Sequence, residues 1–198
     1  VGLISASFLL VVAMLNGDTA IAVMLAALVG SLLGFLRYNF YPAKIYMGDA
    51  GAMFLGLMLG SLSMIGQYTG KHHVSLLTPL LILGIPIFDT IFVMYIRFLR
   101  GLPVFFGSPD HMALRLRHWG LTVPQVVIAS YFATAVLGGV GLLVMSVQED
   151  MALVLIGLTV LGMGIAALVL QRVDVRDSSR MSLQEDGVPE RQGSESQQ

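Results

Sequence analysis

The sequence predicts an all-α fold: a polytopic transmembrane bundle of about six helices, with a short cytoplasmic helix and a disordered C-terminal tail. Three observations predict it. Of the 198 residues, 56% are hydrophobic and only 12% charged, and the mean hydropathy of +0.83 is well above that of ordinary globular domains. Apolar runs of about 20 residues, long enough to cross about 30 Å of hydrocarbon, recur along most of the chain. Nearly all basic residues lie on one side of those runs.

Six apolar runs make residues 1–171 one transmembrane domain. They lie at about 1–15, 19–36, 50–67, 75–96, 124–147 and 150–171. The chain begins with Val1 inside the first run, without an initiator Met or a basic leader, so we expect a domain that is truncated at its N-terminus. Residues 172–198 mix both charges with Ser, Gln and Gly, which predicts a disordered cytoplasmic tail.

Small residues recur at four-residue spacing within two of the runs. They are Gly30 with Gly34, and Ala52 with Gly56 and Gly60. Such spacing lets transmembrane helices approach closely, so we expect tight packing at these positions.

The Lys and Arg residues indicate the orientation. With six spans, segments 37–49 and 97–123 and the tail share one side. That side holds ten of the eleven basic residues: Arg37, Lys44, Arg97, Arg100, Arg115, Arg117, Arg172, Arg176, Arg180 and Arg191. By the positive-inside rule it faces the cytoplasm, and only Lys71 lies opposite. The net charge of -1 argues against a nucleic-acid partner, and zero cysteines exclude disulfides and thiolate-bound zinc.

Asp49 lies where segment 37–49 re-enters the membrane, between Gly48 and a run of small residues. One interpretation is structural, because Asp is a preferred helix N-cap. The other is catalytic, because a carboxylate at the membrane surface with room for a phosphate suits Mg²⁺. The residues alone leave both interpretations open.

Asp89 lies eight residues before Arg97, hence about 12 Å below the cytoplasmic surface on a straight helix. An ionisable residue at that depth usually faces a wet cavity and is a candidate functional group. Pro86 is expected to kink this helix and widen such a cavity. The alternative is a paired acid that locks two helices together.

Segment 108–120 predicts a short cytoplasmic helix, with Ser108 as N-cap and Gly120 as the stop. His111, Arg115 and His118 share one face of it, which we expect to be polar and basic. This face either binds lipid headgroups or clamps a diphosphate, for which the Arg side chain is well suited.

Three segments, in this order, resemble motifs of the polyprenyl-phosphate N-acetylhexosamine-1-phosphate transferases, the WecA and TagO-type relatives of MraY. The first is Asn39-Phe40-Tyr41-Pro42-Ala43-Lys44-Ile45-Tyr46-Met47-Gly48-Asp49-Ala50-Gly51, the second Gly84-Ile85-Pro86-Ile87-Phe88-Asp89-Thr90, and the third Arg100-Gly101-Leu102-Pro103-Val104-Phe105. The resemblance covers about residues 1–123.

The resemblance implies an enzyme that transfers a sugar 1-phosphate, first of all N-acetylglucosamine 1-phosphate, from a UDP-sugar to a polyprenyl phosphate and releases UMP. It implies Mg²⁺, with Mn²⁺ as the alternative ion, and membrane lipid as surroundings; a homodimer is one conceivable assembly. Asp49 would be the metal ligand and, with Asp89 and His111, catalytic. The substrate-binding residues would be Asn39, Lys44, Gly48, Arg115 and His118.

Two departures from the family pattern limit these expectations. Of the family's His-x-His-His only the first His is kept, as His111. The Asp-Asp pair and the Asn-x-x-Asp-Gly-x-Asp-Gly-Leu segment do not occur, so we expect residues 1–198 by themselves to be inactive. The alternatives are a transporter that uses Asp89 as an intramembrane ion site and a non-catalytic membrane scaffold.

Overall fold

The computed structural model describes residues 1–40, 42–66, 73–101 and 111–172. The predicted tail after Arg172, the predicted cap Ser108 and the basic residue Lys71 lie outside these ranges. In the described part the fold is all-α, as predicted. The helices are α1 Gly2–Leu15, α2 Thr19–Asn39, α3 Gly48–Ile65, α4 Thr78–Ile82, α5 Gly84–Leu99, α6 Met112–His118, α7 Val123–Ser146 and α8 Glu149–Gln171, and a 3₁₀ turn at His73–Leu77 precedes α4.

The chain is an integral membrane protein, with fewer full-length spans than the six predicted. Four helices, α2, α3, α7 and α8, are long and apolar enough to cross a membrane, and a fifth span results if the bent pair 74–82 and 84–99 is one. The first predicted span is the shorter apolar helix α1, of 14 residues. At 1.5 Å per residue it covers only about 21 Å, less than the hydrocarbon thickness.

The predicted span 75–96 is bent, as Pro86 led us to expect: it breaks at Leu83 with a bend of 76°. Pro86 explains the place of the break. It has no N–H to give to the carbonyl of Ile82, four residues earlier. Ser5 of α1 donates to that carbonyl instead, at 2.9 Å and in a buried position. Pro86 itself lies in the first turn of α5, where an N–H has no helical partner in any case.

Among the described helices of more than ten residues α1 is the most buried, and it packs against α2, α3, α4 and α7. Its apolar residues Leu9 and Val12 are fully enclosed and belong to a core shared with α2 and α3. By contrast, α8 is largely exposed, although it is the most hydropathic of the candidate spans. A helix that is apolar all round and barely covered by protein is expected to face lipid.

Close helix approach occurs at glycines other than those predicted. A Cβ at Gly30, Gly34, Gly56 or Gly60 would meet nothing within 4 Å. At Gly141 of α7 it would lie 3.1 Å from Ile82 Cγ1 and 3.3 Å from the carbonyl oxygen of Thr78. The small-residue spacing permits close approach but does not say which face of a helix has a partner.

The helix ends that carry polar residues gather at one end of the bundle. A pocket of about 350 Å³ is lined by Val1, Asn39, Met47 and Tyr131, among others. Tyr131 lies in the first half of α7, and α6 precedes α7 by only four residues. The loop that leads to Asp49 and the helix that carries His111 are therefore at the same end, as the charge pattern predicts.

Candidate active site

Asp49 is the second residue of α3, which begins at Gly48 with Met47 in the N-cap position. The N-cap interpretation of Asp49 is therefore wrong. Its side chain is exposed, and it makes no hydrogen bond or ion pair with a described residue. Negative charge is favourable in the first turn of a helix, where unpaired N–H groups carry partial positive charge. Both carboxylate oxygens are available to a cation.

The loop before α3 is closed by its own hydrogen bonds. The Asn39 side chain donates through Nδ2 to the carbonyl of Ile45 at 2.8 Å, and the N–H of Lys44 donates to the carbonyl of Tyr38 at 2.9 Å. The Lys44 side chain is exposed. Asn39 thus shapes the approach to Asp49, while Lys44 offers an accessible ammonium group.

Gly48 joins this loop to α3 with a φ of +66°. That left-handed conformation is costly for residues with a Cβ, although a Cβ here would meet nothing within 4 Å. Backbone conformation, and not crowding, therefore requires glycine next to Asp49.

Asp89 and His111, which are 22 residues apart, are in contact. Asp89 Oδ2 lies 2.9 Å from His111 Nδ1, and Asp89 Oδ1 accepts the N–H of Met112 at 2.8 Å. The carboxylate of α5 therefore binds the first turn of α6. Of the two interpretations of Asp89, the structure shows the paired acid that locks two helices.

Arg115 lies in the interior of the protein. The sequence predicts instead that it shares a polar face with His111 and His118. Its side chain is fully buried. It donates through Nη1 to the carbonyl of Leu170 at 3.1 Å, and its Cζ lies 5.4 Å from the ring centre of Phe92. Cations are favourable both above aromatic rings and at helix C-termini such as that of α8. This burial argues against direct contact between Arg115 and a substrate.

His118 ends α6 in an exposed position, and its Nδ1 lies 2.8 Å from the carbonyl of Leu114. Its predicted neighbour on the same face, Arg115, is buried, whereas Arg117 is exposed. Gly120 follows with a φ of +94°, which confirms its predicted role as the helix stop. At the other end of α6 the N-cap position is occupied by His111.

The two acidic groups belong to different parts of the bundle. Helix α3, with Asp49, packs against α1 and α2, whereas α5 and α6 pack against α7 and α8. Among the described residues there is no group of three His, Cys, Asp or Glu side chains that could hold a metal. Mg²⁺ commonly uses one or two carboxylates and fills its other positions with water and substrate phosphate. The exposed carboxylate of Asp49 is suited to be one such ligand.

Sequence reasoning missed the residues that hold α6. Phe88 and Phe92 stack with ring centres 5.8 Å apart, and Phe92 and Leu170 form a buried cluster with Met112 and Leu116. The four-residue spacing of the two Phe residues was a signal for the stack. No local pattern connects Leu170 to Arg115, because they are 55 residues apart.

The sequence is similar to those of known proteins. Residues 1–67 match the family model described as glycosyl transferase family 4. Over 128 residues the chain is 39% identical to a probable undecaprenyl-phosphate N-acetylglucosaminyl 1-phosphate transferase of Bacillus subtilis, a match that covers 65% of this chain and 36% of the relative. Over its first 67 residues the chain is therefore similar to glycosyl transferase family 4.

Two further relatives agree with this similarity. A decaprenyl-phosphate N-acetylglucosaminephosphotransferase of Mycobacterium leprae is 33% identical over 168 residues, or 77% of this chain and 42% of the relative. A phospho-N-acetylmuramoyl-pentapeptide-transferase of Alkaliphilus metalliredigens is 35% identical over 149 residues, or 74% of this chain and 42% of the relative. The chain spans less than half the length of each relative. No solved structure matches it.

Proposed function

We propose that this protein transfers a sugar 1-phosphate from a UDP-sugar to a polyprenyl phosphate, with release of UMP. N-acetylglucosamine 1-phosphate is the first candidate, because two of the relatives carry that sugar in their names. The observation that carries the proposal is the exposed, unpaired carboxylate of Asp49 at the N-terminus of α3, within the residues that match the family model. The reaction would take place at the cytoplasmic face of the inner membrane, where segments 37–49 and 97–123 concentrate positive charge.

Asp49 would hold Mg²⁺ through its carboxylate. A bound divalent cation neutralises the charge that develops when a phosphate attacks a diphosphate. The chain's own contribution is to keep this carboxylate exposed, in a helix turn that favours negative charge, behind a loop that Asn39 closes. Lys44, which is exposed, is the proposed donor to the sugar nucleotide, and His118, also exposed, is proposed to contact it through Nε2.

The presence of an apolar groove supports the proposal that the acceptor is a polyprenyl phosphate. It has a volume of about 370 Å³ and lies between α5, α7 and α8, with Phe132, Val136 and Met163 among its lining residues. Phe88 and Met112, the chain neighbours of Asp89 and His111, also line it. We assign part of the isoprenoid chain to this groove, with the lipid phosphate near the Asp89–His111 pair.

The decisive variant for this function is Asp49→Asn. We expect it to abolish Mg²⁺-dependent UMP release, because an amide is a much poorer ligand for a hard cation. We expect the fold to survive, because Asp49 is exposed and bonds no described residue. The measurement is UMP release, over a range of Mg²⁺ concentrations, from membranes of cells that express the full-length protein, supplied with UDP-N-acetylglucosamine and undecaprenyl phosphate.

Asp18→Asn is the matched control. Asp18 caps α2 by accepting the N–H of Ile21 at 3.2 Å, and Asn is an equally good N-cap. We expect UMP release by this variant to equal that of the unmodified protein. Normal turnover by Asp49→Asn would rule out the ligand role of Asp49.

A further inference from the structure

The contact between Asp89 and His111 constrains the proton on the imidazole ring. An ionised carboxylate only accepts hydrogen bonds. Asp89 Oδ1 is used by the N–H of Met112 at 2.8 Å, and Oδ2 lies 2.9 Å from His111 Nδ1. Nδ1 must therefore carry a hydrogen in order to bond Asp89. In the neutral ring, Nε2 is then the nitrogen with the free lone pair.

The same carboxylate fixes the backbone that carries His111. This residue occupies the N-cap position of α6, yet its own side chain does not cap the helix. The cap comes from Asp89, on another helix, whose oxygen takes the first N–H of α6. Phe88, the neighbour of Asp89, packs with Met112 in one cluster, so apolar contacts support the same arrangement.

We infer that Asp89 is a positioning residue, which holds His111 in the Nδ1–H tautomer and presents its Nε2 as the reactive nitrogen of the site. The His111 side chain is 55% exposed and that of Asp89 only 30%, so the ring can reach a ligand while its orienting partner is partly covered. Nε2 has no partner among the described residues. The assignment of Nε2 as the reactive nitrogen rests on the proposed function, whereas the tautomer does not.

The variant Asp89→Asn makes this inference testable because Asn has nearly the same shape. Its amide oxygen is the group that can accept the Met112 N–H, so its NH₂ group must face His111 Nδ1. Two donors cannot bond each other, and Nδ1 is then forced to become the acceptor. The variant should keep the cap of α6 and reverse the tautomer to Nε2–H. The corresponding exchange in a Ser-His-Asp triad also leaves the geometry intact and installs the wrong tautomer.

The readout is the tautomer of His111, from long-range ¹H–¹⁵N correlation spectra of the 198-residue chain in lipid nanodiscs. Spectra are recorded at about pH 9, where free imidazole is neutral, and His111→Gln assigns the signal. His118 is the internal control, because its Nδ1 faces the carbonyl of Leu114, which also only accepts. We expect Nδ1–H for both residues in the unmodified chain, and a switch to Nε2–H at His111 alone in Asp89→Asn.

An Nε2–H tautomer of His111 in the unmodified chain would overturn the inference, even if Asp89→Asn failed to fold. So would an unchanged tautomer in a folded Asp89→Asn chain. In UMP-release assays we expect Asp89→Asn to lower kcat by about 100-fold or more, as for loss of a general acid or base, with little change in KM for the UDP-sugar. A normal kcat with a reversed tautomer would remove the positioning role. Inactivity of residues 1–198 alone is the expected result, whereas absence of transfer by the full-length protein would refute the proposed function and leave the tautomer result standing.

Discussion

At the scale of single residues, Arg115 is the residue whose position in the structure differs most from the position expected from sequence. A basic residue on a short loop helix beside a membrane suggests a headgroup or diphosphate ligand. In the structure its guanidinium is enclosed between Phe92 and the C-terminal carbonyl of Leu170. It therefore connects α6 to α5 and α8, and it orients the helix that presents His111.

We expect Arg115→Ala to lower the free energy of unfolding by about 2–5 kcal/mol, the range for truncating a large buried side chain. The matched control is Arg117→Ala, two residues away on the same helix and exposed. It should change stability by no more than about 0.5 kcal/mol. Thermal unfolding of both variants in the same detergent measures the difference. If the two variants were equally stable and only Arg115→Ala lost affinity for the UDP-sugar, the hypothesis that Arg115 binds the substrate diphosphate would be supported instead.

At the scale of elements, the break between α4 and α5 shows how local and tertiary effects combine. Pro86 removes a helical hydrogen bond, which sequence alone predicts. The size of the bend, 76°, depends on what replaces that bond. Ser5 satisfies the carbonyl of Ile82 from α1, and α4 can then lie against α7 at Gly141.

Gly141→Ala should separate α4 from α7 because its Cβ would lie 3.3 Å from a backbone oxygen, which cannot rotate away. The expected loss of stability is about 1–3 kcal/mol, as for overpacked cores. Gly157→Ala in α8 is the control, since its Cβ would meet nothing within 4 Å. It should gain about 0.5–1 kcal/mol from the better helix propensity of Ala. Comparable melting temperatures for the two variants would contradict the close α4–α7 contact.

At the scale of the whole molecule, the bundle carries its polar chemistry at one end. The loop 38–48, the Asp89–His111 pair and the C-terminus of α8 all belong to that end, together with most of the basic residues. The opposite end has short connections such as residues 16–18 and 147–148. A membrane enzyme that acts on charged nucleotides is expected to have this asymmetry.

Single cysteines test the orientation cleanly, because the chain has none of its own. Ala113→Cys on α6 and Gln148→Cys before α8 are both exposed and lie at opposite ends of α7. In intact cells we expect an impermeant maleimide to label Gln148→Cys but not Ala113→Cys. The Ala113→Cys variant should be labelled only after the membrane has been permeabilised. The reverse pattern would show that the bundle is inserted the other way round.

The family was predicted from the resemblance of three motifs to known enzymes. Composition and local pattern were enough to predict the fold class, most helix positions and the side on which charge collects. These properties depend on hydropathy, residue spacing and charge counts, which are local quantities. The three-dimensional packing decided which glycines are crowded, how far the helix at 75–96 bends, that Asp89 binds His111 and Met112, and that Arg115 is buried. Each of these depends on a partner from a distant part of the chain, Ser5 for Ile82 or Leu170 for Arg115, and no local pattern specifies such a partner.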